Sequence, residues 1–429
     1  MRQAGSDDDG QADAHAGKLF LGTLIGLTFT MNTLGRGVTE TFAIFLLPVE
    51  QALGATRSEI TATYSIYMLV YGLSAPFAGQ LIDRLGARAT YGAGLALLGT
   101  AYVGAGFSQA LWHYYLSAGA LAGLGAACLG MVAASSLLSR WFTRGMGAVM
   151  AVPSAAVGAG MLIIPPVTQL LLGSYSWRAT HQILGFGVLA CLVIVMVLPL
   201  ARMTRGSPGW QAIRQRAGSS GEPVWTAMRA MQTGGFWALF GVYFFTSVAA
   251  YAVLPQSVAF LVEQGFDPLV AASAFGMTGA LSTIGILLMG WLSDRAGRVT
   301  AVVISKIFTI TGILSLIAIA WYPNLALLYA FVFFFGIMQG ARGPVIAVMV
   351  AILFRGGSVG TIYGALSMAL GFGAGLGSWV SGGLHDLTGG YVASFGFAGL
   401  CSVTGLAIYV ISPSLRLERP AVLRARPGQ

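Results

Sequence analysis

Three charged residues lie deep within apolar stretches of this chain, and they define the chemistry to look for. Arg36 and Glu40 fall in the run 19–47, and Arg342 falls in the run 323–353. A charge at such depth costs roughly 2.5–3.5 kcal/mol on insertion scales unless it is paired or wet. Arg36 and Glu40 are four residues apart, so on a helix they share a face and can pair. Measured from the middle of the first run, near Thr33, Arg36 lies ~5 Å and Glu40 ~10 Å further along, at ~1.5 Å per residue. Arg342 lies ~6 Å from the middle of its own run by the same rise. It is followed by Gly343-Pro344, and the proline removes a backbone donor and frees a carbonyl beside the charge. An arginine in a low-dielectric cavity stays charged and offers a two-pronged donor face, which suits a carboxylate. Glu40 is the only acid in these runs, which makes it the group able to take up and release a proton. Two arginines and one glutamate leave one positive charge in excess, which favours an anion of one net charge. The same residues also fit a structural role: an internal ion pair for Arg36–Glu40, and for Arg342 a charge neutralised by helix ends.

Other polar side chains lie deep in the same kind of run: Asn32 and Thr33, Tyr243, Tyr251 and Gln256, and Gln339. Tyrosine and glutamine can donate to a carboxylate, or equally to a neighbouring helix. Tyr64, Tyr67 and Tyr71 follow i, i+3, i+7 spacing and form one helical stripe, for which packing is the favoured reading over a ligand box. No His, Cys, Asp or Glu spacing suits a metal. Cys128, Cys191 and Cys401 lie inside apolar stretches and read as packing residues.

The elements that hold these residues are membrane spans. The chain is 56% apolar and only 9% charged, with a mean hydropathy of +0.78, whereas a soluble protein of this length carries about a quarter charged residues. Twelve segments of spanning length can be read, at 19–47, 58–82, 89–108, 111–139, 146–172, 179–201, 235–262, 269–292, 300–320, 323–353, 358–382 and 391–411. They are called segments one to twelve below. The polar residues 1–17 and the length of segment one argue against a cleaved signal peptide. With the N-terminus in the cytoplasm, 19 of the 23 Lys and Arg residues lie on the cytoplasmic side, Lys306 among them, and only Arg57 and Arg178 lie outside. That bias places both termini on the cytoplasmic side of the cell membrane. It also accounts for the net charge of +9 as anchoring at an anionic leaflet, so no nucleic-acid partner is expected. His113 and His385 fall in outer loops, His181 at a helix start.

One charged loop occurs twice. "GQLIDRLGAR" (Gly79–Arg88) and "GWLSDRAGR" (Gly290–Arg298) repeat Gly, Leu, Asp, Arg and Gly at a constant offset of 211. A second echo has the same offset: Arg144 in "RWFTRG" after segment four, and Arg355 in "ILFRGG" after segment ten. The chain therefore reads as two six-helix halves, 19–201 and 235–411, between cytoplasmic tails 1–18 and 412–429, with a Gly/Ser/Pro-bearing basic linker at 202–234. Six plus six parallel repeats is the architecture of the major facilitator transporters.

At these residues the chain resembles the major facilitator superfamily, over about 19–411. The resemblance implies an all-α fold of 12 transmembrane helices, with segments one, four, seven and ten around a central cavity. Both cavity arginines would face that space. It further implies that Asp83, Arg84, Asp294 and Arg295, with Arg144 and Arg355, latch the cytoplasmic face. More narrowly, "ATRSEI" after segment one, "RWFTRGMGAVMA" entering segment five and "GGLHDLTGGYVASF" (Gly382–Phe395) resemble the monocarboxylate transporter family and its bacterial members. That family moves short organic acids, usually with a proton. The likeness has gaps: the animal members' Lys in helix one is matched near Glu40, and "ALSTIGILLMGW" (Ala280–Trp291) lacks the Asp and Arg they carry in helix eight.

The expectation is a secondary transporter of small organic anions, coupled to protons or working by exchange, acting as a monomer and without a cofactor. Arg36, Arg342, Asn32, Tyr251 and Gln339 are the expected substrate contacts, Glu40 the proton carrier. Efflux of amphiphilic drugs and a transporter-like sensor are the other readings; two cavity arginines disfavour cationic drugs, and the short tails disfavour a sensor. No enzyme is expected. The chain has no P-loop, and "GAGLALLG" and "GFGAGLG" sit inside apolar helices, where close glycines serve helix packing.

Overall fold

The computed structural model describes residues 5–142, 146–197, 227–340, 346, 349–350, 353–354 and 359–415. Among them every regular element is helical, as lipid demands of a chain whose backbone groups must be satisfied internally. Segment one is built from two helices, Gly5–Glu40 and Phe42–Leu53. Segments two and three form one run, Arg57–Gly106, that turns at Gly86. Segment four is interrupted: helices Leu111–Tyr114, Ala122–Leu129 and Met131–Leu138 flank a π-helical stretch, Tyr115–Leu121. Segments five to nine are Met146–Ser174, Trp177–Val197, Gly234–Glu263, Pro268–Ala296 and Arg298–Ile319. Segment ten is described as a helix over Leu325–Gln339, and segments eleven and twelve are Val359–Thr388 and Val392–Ile411.

Among the described residues, eight segments (two, four to nine and twelve) are long and apolar enough to span a membrane. The other segments fall short for local reasons. Segment one carries two charges and a break, three is joined to two, ten is described only in part, and eleven is diluted by glycine. Of the expected linker, 202–226 lies outside the described residues, and Ala227–Met231 is a short helix. Segment eleven extends to Thr388, so His385 sits in a last helical turn rather than a loop; His113 likewise lies within Leu111–Tyr114.

The duplication is visible in the backbone. Gly54 and Gly265, just after segments one and seven, both have positive φ, 61° and 88°. Thr56 and Asp267 both cap the helix that follows: Thr56 accepts from the Glu59 amide at 3.3 Å, and Asp267 from Leu269 and Val270 at 2.8 and 3.2 Å. Side-chain oxygens at this position satisfy amides that the helix leaves unpaired. Gly86 (φ 84°, ψ 173°) and Gly297 (φ 86°, ψ 157°) turn the chain in both repeated loops. That backbone region is open essentially to glycine alone. All three pairs keep the spacing of 211.

The halves meet along segments two and eleven and along five and eight. A Cβ on Gly72 would stand 3.0 Å from the Gly371 Cα, and one on Gly158 would stand 2.4 Å from the Gly279 carbonyl oxygen. Small residues at these crossings let the backbones pack in direct contact. The loops with Gly86 and Gly297 lie at one end of the bundle, called the motif end here. The turns at Gly54 and Gly265 lie at the far end.

Candidate functional site

The charged site forms where segment one breaks. Thr39 Oγ1 donates to the carbonyls of Gly35 (2.9 Å) and Arg36 (3.1 Å), and Thr41 Oγ1 to that of Val38 (2.6 Å). Tyr102 from segment three donates to the same Val38 carbonyl. Hydroxyls that occupy helix carbonyls compete with the backbone ladder, and the helix ends at Glu40 and resumes at Phe42. The break leaves Arg36 and Glu40 on the last turn of the first helix.

They pair there, Nη2 to Oε1 at 2.5 Å, with side chains 13% and 3% exposed. Arg36 Nη2 also donates to Tyr251 Oη at 3.0 Å, and Nη1 to Tyr67 Oη at 3.5 Å. Tyr71 lies beneath the guanidinium, its ring centroid 5.9 Å from Cζ. Tyr64 stands 3.2 Å from both Glu40 oxygens and donates to the carboxylate. Tyr67 and Thr39 close the ring at 2.9 Å. A buried ion pair is tolerable only when further hydrogen bonds satisfy both partners, and the tyrosines supply them. The stripe Tyr64–Tyr67–Tyr71, favoured above as packing, is the wall of the charged site. Its spacing showed one face but not that the face meets segment one. Tyr251 comes from segment seven, so the site straddles both halves.

The remaining expected residues divide as follows. Asn32 is buried and its side chain donates to the Thr28 carbonyl of its own helix at 2.9 Å. Gln339 Nε2 lies 3.9 Å from Met161 Sδ of segment five, and its Oε1 is buried without a hydrogen-bond partner. Neither contacts the Arg36 cluster in the described set. Gln256 Nε2 donates to Ser381 Oγ at 2.8 Å, joining segments seven and eleven. Arg342, Arg144 and Arg355 lie outside the described residues. Asp83 and Asp294 sit at the motif-end turns; beside them Arg84 and Arg295 are exposed, Arg295 over the Trp291 ring at 5.0 Å. Arg140 is buried and donates to the Ile82 carbonyl, next to Asp83, at 3.4 Å.

Two further charged groups, Lys306 and Arg57, are buried. Lys306, expected among the cytoplasmic basic residues, is buried within the helix Arg298–Ile319, its Nζ 2.6 Å from Thr246 Oγ1. Arg57, expected on the outer side, lies at the far end and is buried at a junction of the halves. Its side chain, 3% exposed, pairs with Glu50 and with Glu263, each at 2.7 Å. It also donates to Tyr391 Oη and lies 5.5 Å over that ring. The amides of Arg57 and Ser58 donate to the two Asp386 oxygens at 3.0 and 2.8 Å. Burial works against ionisation of Asp386, but the Ser58 and Arg57 hydrogen bonds outweigh it and hold the carboxyl below its ordinary value. His385, 3.9 Å from Asp386 Oδ1, is held below its ordinary value by burial and then by the Arg57 charge. Segments one and two are thus clasped to seven, eleven and the turn before twelve. The only available sequence signal was that Glu50, Arg57, Glu263 and Asp386 all fall at far-end helix termini.

Bundled spans in two repeated halves, with a buried ion pair of one half hydrogen-bonded by a tyrosine of the other, define a membrane transporter rather than an enzyme. The family model described as Major Facilitator Superfamily matches residues 20–325 and 283–428, and the chain belongs to that superfamily. It is 28% identical over 390 residues to "Monocarboxylate transporter 13" of Bos taurus, covering 90% of this chain and 87% of that one. It is 26% identical over 401 residues to "Uncharacterized MFS-type transporter YcxA" of Bacillus subtilis (strain 168), covering 89% and 94%. Among solved structures, that of a D-xylose-proton symporter superposes with a TM-score of 0.72 at 15% identity, over 94% of this chain and 100% of that one. This last likeness is one of fold, and it places the twelve segments in the two-half arrangement of the superfamily.

Proposed function

We propose that this transporter carries small monocarboxylate anions by alternating access, coupled to a proton taken up by Glu40. The observation that carries the reading is the Arg36–Glu40 pair completed by Tyr251 from the opposite half. The part of Arg36 that stays exposed is where a substrate carboxylate would enter. Its two oxygens would engage the guanidinium's parallel donors better than one hydroxyl does. As the carboxylate takes Arg36 over, Glu40 loses its counter-ion and keeps only Tyr64. A buried carboxylate without its partner favours the proton-bound form, so anion and proton enter together. Arg342, on segment ten, is a second candidate receptor, and Asn32 and Gln339 are candidate contacts for the rest of the substrate. The monocarboxylate transporters among the relatives support the substrate class.

The halves 19–201 and 235–411 would rock about this site, with the termini and the motif end in the cytoplasm of a cell-membrane protein. The Arg57 clasp would then seal the outside, and Asp83, Arg84, Asp294, Arg295, Arg144 and Arg355 would act in closing the cytoplasmic side. The test is uptake into proteoliposomes of labelled acetate, lactate, pyruvate, oxalate and succinate under an imposed pH gradient. Monocarboxylates should accumulate, and Glu40→Gln should abolish accumulation while leaving exchange of labelled for unlabelled substrate intact. Normal uphill accumulation by Glu40→Gln would remove the proton role, and uptake of dicarboxylates alone would remove the substrate class.

A further inference from the structure

The two helices of segment one are attached in different ways. The first is locked to its own half at the level of the backbone. A Cβ on Gly37 would stand 2.8 Å from the Gly160 Cα of segment five, and one on Gly35 would stand 3.0 Å from the Leu129 Cβ of segment four. Thr33 Oγ1 also donates to the Ala156 carbonyl of segment five at 3.3 Å. The second helix, Phe42–Leu53, contains no glycine. It rests on side chains, chiefly against segment seven of the opposite half. Its end is tied back to its own half by Glu50, 2.7 Å from Arg57.

The joint between the two is pinned. In an unbroken helix the Val38 carbonyl receives the Phe42 amide. Here the helix lapses at Thr41, and that carbonyl accepts the Thr41 N–H at 3.2 Å, the Thr41 hydroxyl at 2.6 Å and the Tyr102 hydroxyl of segment three. Thr41 Oγ1 and Tyr102 Oη lie 3.3 Å apart, and both residues are buried. Hydroxyls inserted at a helix carbonyl are an identifiable cause of a break. The duplication does not account for this one. At the spacing of 211, Thr41 corresponds to Ala252 and Tyr102 to Ile313, and Ala252 lies inside the single helix Gly234–Glu263.

We propose that Thr41 is a hinge and Tyr102 its pin. With the far end closed, the break is held as described. As the far end opens, the Val38 carbonyl exchanges the Tyr102 hydroxyl for the Phe42 amide, and Phe42–Leu53 swings off segment seven while the first helix stays in place. The freed Tyr102 hydroxyl keeps Thr41 Oγ1 within reach. One hydrogen bond is traded for another, so the two forms differ little in energy, as a hinge requires. The inference rests on the rocking of the halves proposed above and adds a local motion to it. Glu40 immediately precedes the hinge, and the Phe42 ring packs 5.1 Å from that of Tyr64, which donates to Glu40. The position of the second helix is therefore felt at the carboxylate.

Two spin-label pairs, in a background lacking Cys128, Cys191 and Cys401, separate the hinge from rigid rocking. Gln51→Cys with Gln109→Cys lies within one half, and Gln51→Cys with Leu387→Cys crosses between the halves; all three positions are exposed. Asp386→Ala, which removes a cross-half contact at the far end, should lengthen the crossing pair and also shift the pair within the half. Tyr102→Phe keeps the ring and leaves Val38 its Thr41 partners. It should raise the shifted within-half population roughly 2- to 10-fold, the worth of one neutral hydrogen bond. Thr41→Val should act in the same direction, and either variant alone suffices. A within-half distribution identical in the parent and all three variants, with the crossing pair still lengthened by Asp386→Ala, overturns the hinge and leaves the rocking of the halves. No response of either pair in any variant overturns both.

Discussion

Asp386→Ala tests the far-end clasp most directly, because its two contacts cross between the halves and end on backbone amides. The carboxylate receives the Arg57 and Ser58 N–H groups at 3.0 and 2.8 Å, at the start of the segment-two helix. A hydrogen bond to a charged group is worth about 1.5–3 kcal/mol, and a negative charge at a helix start adds about 0.3–1 kcal/mol. The Asp386 side chain is 28% exposed, so solvent screens part of this. A net loss of about 1–2 kcal/mol remains, a roughly 5–30-fold shift toward the opened far end at 1.4 kcal/mol per factor of ten. Among the other clasp members, Glu50 pairs with Arg57 inside one half and does not distinguish open from closed. Spin labels at Gln51→Cys and Leu387→Cys, in a background lacking Cys128, Cys191 and Cys401, would report the gap by dipolar distance measurement. Both positions are exposed. The parent should be dominated by the short distance, and Asp386→Ala should populate a longer one. Asp386→Asn, which keeps one acceptor oxygen, should fall between. Indistinguishable distributions for all three would refute the view that these hydrogen bonds hold the halves together.

Acidification should loosen the same clasp. His385 faces Arg57, Asp386, Glu263 and Tyr391 and is held below its ordinary value of 6.5 in the closed form. The opened form therefore binds a proton more readily, and closed-state preference drops as pH falls through about 6.5; the label pair should lengthen between pH 7.5 and 5.5, and His385→Gln should flatten that response. Arg36→Lys keeps the charge but not the fork, so monocarboxylate affinity should weaken by about 1–3 kcal/mol, read as a roughly 5–150-fold rise in half-saturating concentration; an unchanged value would move the receptor to Arg342. Impermeant thiol reagent applied to intact cells should modify a cysteine placed at Ser174 and spare one at Ser219, and the opposite pattern would invert the orientation.

The global architecture was legible because it is written in local chemistry. Spans show as apolar length, and the two halves show as a repeated turn whose glycine no other residue replaces without strain. The Arg36–Glu40 pair was legible too, since i,i+4 spacing on a helix is a contact in itself. What the sequence concealed were contacts between segments. Three tyrosines on one stripe specify a face, but which helix that face meets is a packing outcome. Arg57 finds Glu263 across 206 positions and Asp386 across 329, and nothing in the 50–60 region signals either partner. Lys306 was misplaced for a related reason. A lysine eight residues beyond a loop reads as an anchor, whereas here Thr246 of another segment draws its amine into the bundle.

Segment seven carries both of the cross-half contacts that matter most. Tyr251 reaches Arg36, and Glu263, twelve residues later, reaches Arg57, a span of ~18 Å along one helix at ~1.5 Å per residue. Pro255 lies between them. Its missing N–H is the one that would bond the Tyr251 carbonyl, so the ladder is open at the turn that touches the site. Under the proposed cycle, a carboxylate on Arg36 competes with Tyr251 for the same guanidinium nitrogen. Displacing Tyr251 removes one attachment of segment seven to the opposite half and leaves the clasp as the other. Binding energy at the site is then set directly against the clasp, through a helix that can bend at Pro255. The Gln51/Leu387 label pair should therefore respond to a transported anion as well as to Asp386→Ala. If the anion shifts the distances in the parent but not in Arg36→Lys, the coupling runs through this arginine.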